Sequence, residues 1–145
     1  FRDGWKIAGC PVNGPSVAAS GRHVVVGWFT GADNTGRVKF ARSTDAGASF
    51  GEPSLIDRGN PVGRVEVVVA EDGAAWVCWM TRTDDGAAVR ARRVAADNTL
   101  SEAVTIAETE AARRNGFPQV VRCGGRLVFA WTNQGVQVAS MPLPK

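Results

Sequence analysis

Apolar and polar residues alternate over short stretches along the whole chain, and Gly, Asp and Asn interrupt them every few residues. Alternation with a period of two belongs to half-buried strands, and the interrupting residues belong to turns. The pattern predicts strands near 15–19, 23–30, 37–43 and 53–57, then 64–71, 74–81, 87–95 and 102–107, then 117–122, 126–132 and 135–141. Residues 108–115 have room for a helical turn, but Gly116-Phe117-Pro118 would stop it, and the stretch reads as a loop.

The predicted strands fall into a repeat. Trp28, Trp79 and Trp131 stand 51 and 52 residues apart, and the residues before them align without gaps. Gly21-Arg22-His23-Val24-Val25-Val26-Gly27-Trp28 lies over Asp72-Gly73-Ala74-Ala75-Trp76-Val77-Cys78-Trp79 and over Gly124-Gly125-Arg126-Leu127-Val128-Phe129-Ala130-Trp131. Val38–Arg42 likewise lies over Val89–Arg93 and Val136–Ser140. A period near fifty with four strands per unit describes the blades of a β-propeller. The fold class is therefore all-β: a partial propeller of about two full four-stranded blades and most of a third. The blades run over roughly 10–57, 58–107 and 108–145, and residues 1–9 are expected to form a strand completing another blade. Each repeated tryptophan should pack between blades, removing about 150–250 Å² from water, which at 25 cal/mol per Å² is roughly 4–6 kcal/mol.

One motif goes beyond the repeat. Ser43-Thr44-Asp45-Ala46-Gly47-Ala48-Ser49-Phe50 is a complete S-x-D-x-G-x-x-F. It predicts a tight hairpin in which the Asp45 carboxylate gathers backbone N–H groups, Gly47 takes a positive φ and Phe50 plugs the turn onto the blade. Repeat two has lost the pattern at Ala96–Ser101, and repeat three stops before it. The motif resembles the Asp-box of sialidases and of BNR-repeat propellers. Gly9–Pro15 and Gly59–Val65 also resemble bacterial sialidase-like proteins, so the likeness covers all three repeats. It implies a structural role for Ser43, Asp45, Gly47 and Phe50, on the side of the blades away from a substrate pocket. It also implies a secreted, periplasmic or surface-anchored protein.

Sialidases of this kind use a tyrosine nucleophile, an aspartate acid/base and three arginines that clamp a sugar carboxylate. This chain contains no tyrosine, so its own residues make no complete sialidase site. Part of a site is expected over the central channel, where the connection from each outer strand to the next inner strand emerges. Arg64 and Arg114 suit an arginine facing that channel, and Asn13 and Arg37 are further candidates for ligand contact. Two function classes follow: a glycoside hydrolase segment acting on or binding carboxylated sugars, or a non-catalytic glycan- or protein-binding propeller.

Composition narrows the rest. A net charge of +3, with 17 basic and 14 acidic residues interspersed, gives no basic stripe for nucleic acid. No apolar run approaches a membrane span. Cys10, Cys78 and Cys123 show no metal-ligand spacing; Cys78 reads as core, and a Cys10–Cys123 disulfide is left open. The single histidine, His23, stands at a strand start, and no cofactor or metal is expected. Open sheet edges require partners: the remaining blades of a longer protein, or a second copy of the chain.

Overall fold

A computed structural model describes residues 2–7, 12–110 and 115–143. Among these, the first sheet holds β1 (Ser16–Ser20), β2 (His23–Thr30), β3 (Arg37–Ser43) and β4 (Ser54–Asp57), hydrogen-bonded in that order. The second holds β5 (Pro61–Val69), β6 (Ala75–Thr83), β7 (Gly86–Val94) and β8 (Val104–Thr109). The third holds β9 (Gly116–Cys123), β10 (Arg126–Thr132) and β11 (Val136–Pro142). Every pairing is antiparallel between chain neighbours, as hairpin-connected blades require. A 3-10 turn over Ala32–Asn34 joins β2 to β3. No described helix is long and apolar enough to cross a membrane.

The alternation read from the sequence separates the two faces of each sheet. Val25 of β2, Val38 and Phe40 of β3, and Ile56 of β4 point at the second sheet, where Val65, Val67, Val77 and Trp79 meet them in one buried cluster. The opposite face of β6 carries Trp76, Cys78 and Met80, which meet Val120, Leu127, Phe129 and Trp131 of the third sheet. The small residue before each tryptophan has a packing reason at position 27. A Cβ on Gly27 would stand 2.6 Å from Val67 Cγ1 and 2.9 Å from Val65 Cγ1, so only glycine lets β5 approach.

Trp79 and Trp131 are buried between neighbouring sheets, and Trp28 is half-buried on the first sheet's open face. That face bounds a cleft of about 540 Å³ lined in part by Trp5, Val26, Trp28, Phe29 and Phe50. Residues 2–7 make no ladder with any described strand, and the other blade that a strand at 1–9 was expected to complete is not among the described sheets. These N-terminal residues cross the first sheet. The Trp5 ring stands edge-on to Phe29, with centroids 5.3 Å apart, and Asp3 Oδ2 accepts from Trp28 Nε1 at 3.4 Å.

Candidate functional site

The inner strands β1, β5 and β9 stand side by side, and β5 and β9 repeat one distortion where they begin. Gly63 (φ +101) and Arg64 (φ +55) are left-handed in succession where β5 slips register against β6. Gly116 (φ +92) and Phe117 (φ +54) do the same where β9 slips against β10. A non-glycine residue held left-handed is strained and persists where surrounding contacts over-determine it. At Arg64 those contacts are visible. Its backbone N–H donates to Asn13 Oδ1 at 3.0 Å, while Asn13 Nδ2 donates to the Val62 carbonyl at 3.1 Å. Gly63 leaves room for this clasp, because a Cβ there would fall 2.5 Å from Asn13 Oδ1.

The Arg64 side chain crosses toward the third sheet. Its guanidinium lies over the Phe117 ring at 4.2 Å from the centroid, donates to the Asn115 carbonyl and approaches Met80 Sδ at 3.3 Å. Burial pulls its pKa down from the ordinary value. The close approach also explains Gly116, where a Cβ would lie 2.5 Å from Arg64 Nη1 and collide with Met80 Sδ. Phe117 keeps 47% of its surface exposed, enough to offer a ring to solvent beside a cation.

Two residues beyond each distortion the inner strands are joined by polar side chains. Ser16 Oγ donates to Glu66 Oε2 at 2.9 Å, and Gln119 Nε2 donates to Glu66 Oε1 at 2.9 Å. These residues occupy one register position: Ser16 pairs with Gly27, Glu66 with Cys78, and Gln119 with Ala130. Arg64, Glu66, Phe117 and Gln119, with Val12 and Pro15, line a hollow of about 190 Å³ at the mouth of the inner strands. Sequence reasoning singled out Arg64, which lines the hollow, and Asn13, which clasps its backbone, but passed over Glu66, Phe117 and Gln119. The matching Pro15-Ser16 and Pro118-Gln119 pairs carried the signal for Ser16 and Gln119.

The other candidates lie elsewhere. Arg37 Nη1 donates to the Ala32 carbonyl at 3.2 Å and staples the 3-10 turn, outside the hollow. Arg114 and Cys10 lie outside the described residues. His23 is packed against the Gly73 turn. Cys78 is buried, with its thiol pKa pushed up by burial and by the nearby Glu66 charge, whereas Cys123 is an exposed free thiol. Among the described residues, no group of three or more His, Cys, Asp or Glu side chains gathers where it could hold a metal.

The S-x-D-x-G-x-x-F hairpin forms a closed network. Ser43 Oγ donates to Asp45 Oδ1 at 2.6 Å and accepts from Gly47 N–H at 2.9 Å. Ser49 supplies its N–H to Asp45 Oδ1 at 2.9 Å and its hydroxyl to Asp45 Oδ2 at 2.6 Å. The Ser43 and Ser49 bonds hold the Asp45 carboxyl well below its ordinary pKa. Gly47 takes φ +90, as the motif requires. Phe50 is 36% exposed and lines the cleft on the first sheet's open face.

Two links between sheets were not foreseen. Trp79 Nε1 donates to Asp57 Oδ2 at 2.8 Å, so the end of β4 accepts from the next sheet's tryptophan. Arg42, at the end of β3, spreads its guanidinium over the second sheet's turns. It donates to Asn98 Oδ1 at 3.1 Å, to the Ala95 carbonyl at 2.9 Å and to the Gly73 carbonyl. The hairpin at 96–101, which lost the S-x-D pattern, thus holds the neighbouring arginine.

Neither a scan of protein-family models nor a search of curated proteins returns a match. Solved structures do match. The chain is similar to xylan β-1,4-xylosidase from Bacillus halodurans C-125, with TM-score 0.61 and 11% identity over 88% of this chain and 27% of that one. It is similar to a variant of NanB sialidase from Streptococcus pneumoniae, with TM-score 0.53 and 10% identity over 82% and 20%. A Hadza microbial sialidase matches with TM-score 0.52 and 17% identity over 89% and 31%. The chain therefore spans less than a third of these structures' length. At such identities the likeness concerns the fold, and together with the three radially adjacent sheets it makes this chain an arc of a β-propeller.

Proposed function

We propose that the chain supplies three blades of a carbohydrate-active propeller of the sialidase-like kind and contributes part of a glycan site at the mouth of its inner strands. The observation that carries this reading is the pairing of strained Arg64 with exposed Phe117, at equivalent bulges of adjacent inner strands. A half-exposed aromatic ring suits the apolar face of a sugar, and the guanidinium beside it and the Glu66 carboxylate suit its hydroxyl groups. The known activities of the structural neighbours, a xylosidase and sialidases, agree with a glycan ligand. Of the arginines expected to meet a sugar carboxylate, Arg64 lines the hollow, Arg37 lies outside it, and Arg114 falls outside the described residues.

Catalysis would draw on blades beyond this segment, because no tyrosine is present to act as a sialidase nucleophile. The non-catalytic reading, a glycan- or protein-binding propeller, has its own support: both Glu66 oxygens already accept hydrogen bonds from neighbouring strands, as a positioning carboxylate would. Turnover of a fluorogenic sialoside by the protein carrying these blades tests the enzymatic form. Absence of turnover with glycan binding retained would leave the binding form, and absence of both would reject the reading. The remaining blades come from a longer polypeptide or from a second copy, and the mass in solution decides between them.

A further inference from the structure

The geometry points to an uncharged, polyhydroxylated saccharide as the ligand of the Arg64–Phe117 hollow, selected against carboxylated sugars by Glu66. This inference rests on the glycan reading above and names the ligand class within it. Two observations carry it. First, the Arg64 guanidinium is already engaged: it stacks on Phe117, donates to the Asn115 carbonyl and contacts Met80 Sδ. A bidentate clamp on a carboxylate needs a guanidinium edge presented to the ligand, and this one is turned toward the third sheet.

Second, Glu66 lines the same hollow two residues along β5. Ser16 and Gln119 hold both of its oxygens in place, so the carboxylate has no easy way to withdraw when a ligand enters. An anionic sugar would meet a like charge held at close range. A neutral sugar meets the opposite situation. Each Glu66 oxygen has further lone-pair capacity beyond its single described donor, and a sugar hydroxyl can donate to it in a charge-assisted bond. The exposed Phe117 ring supplies the flat apolar surface that a pyranose covers, and about 190 Å³ holds one ring.

Ligand-observed NMR titrations of the protein carrying these blades with lactose, xylobiose and sialyllactose test this, with Glu66→Gln and Phe117→Ala as variants. The expected result is binding of a neutral disaccharide in preference to sialyllactose. Glu66→Gln should weaken the neutral ligand about tenfold and narrow the preference, as loss of one charge-assisted bond implies. Phe117→Ala removes an exposed ring and should weaken the neutral ligand severalfold with the urea midpoint little changed, which keeps the test meaningful if Glu66→Gln disturbs β5. Tighter binding of sialyllactose, strengthened further by Glu66→Gln, would overturn the inference while leaving the glycan site intact. Neutral binding indifferent to Glu66→Gln would also overturn it. Failure of every saccharide to bind would remove the broader glycan reading as well.

Discussion

Replacing Asp57 by alanine isolates the bond that ties the first sheet to the second. Asp57 Oδ2 accepts from Trp79 Nε1 at 2.8 Å, and the Trp79 side chain is 1% exposed, so no water replaces the lost acceptor. Leaving a buried N–H unpaired costs about 1–3 kcal/mol. Asp57 Oδ1 also accepts from the Gly59 N–H at 2.9 Å in an exposed turn, which adds about 0.5–1 kcal/mol. Asp57→Ala should therefore destabilise the chain by about 1.5–4 kcal/mol, and Asp57→Asn, which keeps a carbonyl acceptor, by about 1 kcal/mol. At about 2–4 °C per kcal/mol for a chain of this size, the melting temperature of Asp57→Ala falls by roughly 3–16 °C. The third sheet offers an internal control. Asp57 pairs with Val38 opposite Phe29, and Ala107 pairs with Val89 opposite Met80, so Ala107 occupies the Asp57 position. Accordingly Trp131 Nε1 is buried without a partner. Ala107→Asp should supply one and raise the urea midpoint at neutral pH. Urea unfolding followed by tryptophan fluorescence measures all three variants. Equal midpoints for Asp57→Ala and Asp57→Asn would refute the argument, because the difference between them is the acceptor itself.

Arg42→Ala should lower stability by about 2–4 kcal/mol, since a guanidinium inserted among three acceptors of the neighbouring sheet is removed; Arg42→Lys should recover less than half in denaturant titration, lacking the planar fork. Asp45 makes acid sensitivity predictable in sign. Its folded pKa lies below the ordinary 3.8, so its contribution is complete above that value and fades as pH falls through the folded pKa. Ser43→Ala and Ser49→Ala, which remove the donors, should shrink the loss of stability seen on acidification below about pH 4 in thermal melts. In a Cys10→Ser background, a thiol reagent should label Cys123 at once and Cys78 only after unfolding, because the buried thiol resists ionisation. Rapid labelling of Cys78 in the native state would show that the second and third sheets separate readily.

Strand order and pairing were legible because each blade is local. Every ladder joins chain neighbours, and the alternation, the turn residues and the repeated tryptophan all favour one register. The Asp45 hairpin was legible for the same reason, its donors and acceptors lying within a few residues of one another. What stayed hidden were contacts across roughly one repeat of sequence: Arg42 on Asn98, Arg64 on Asn115, Glu66 with Ser16 and Gln119. A charged residue in an alternating strand looks the same whether its side chain meets water or the next blade's turn, so period alone does not separate Arg42 from a solvated arginine. The repeat alignment could have found the tryptophan acceptor in part, since Asp57 precedes Trp79 by 22 residues and Asp3 precedes Trp28 by 25. The same parallel locates the N-terminal residues within the repeat. Asp3 accepts from Trp28 as Asp57 accepts from Trp79, so residues 4–7 correspond to the connection that follows β4. A connection has no ladder of its own, and this one lies on the open face of the first sheet with its Trp5 ring against Phe29.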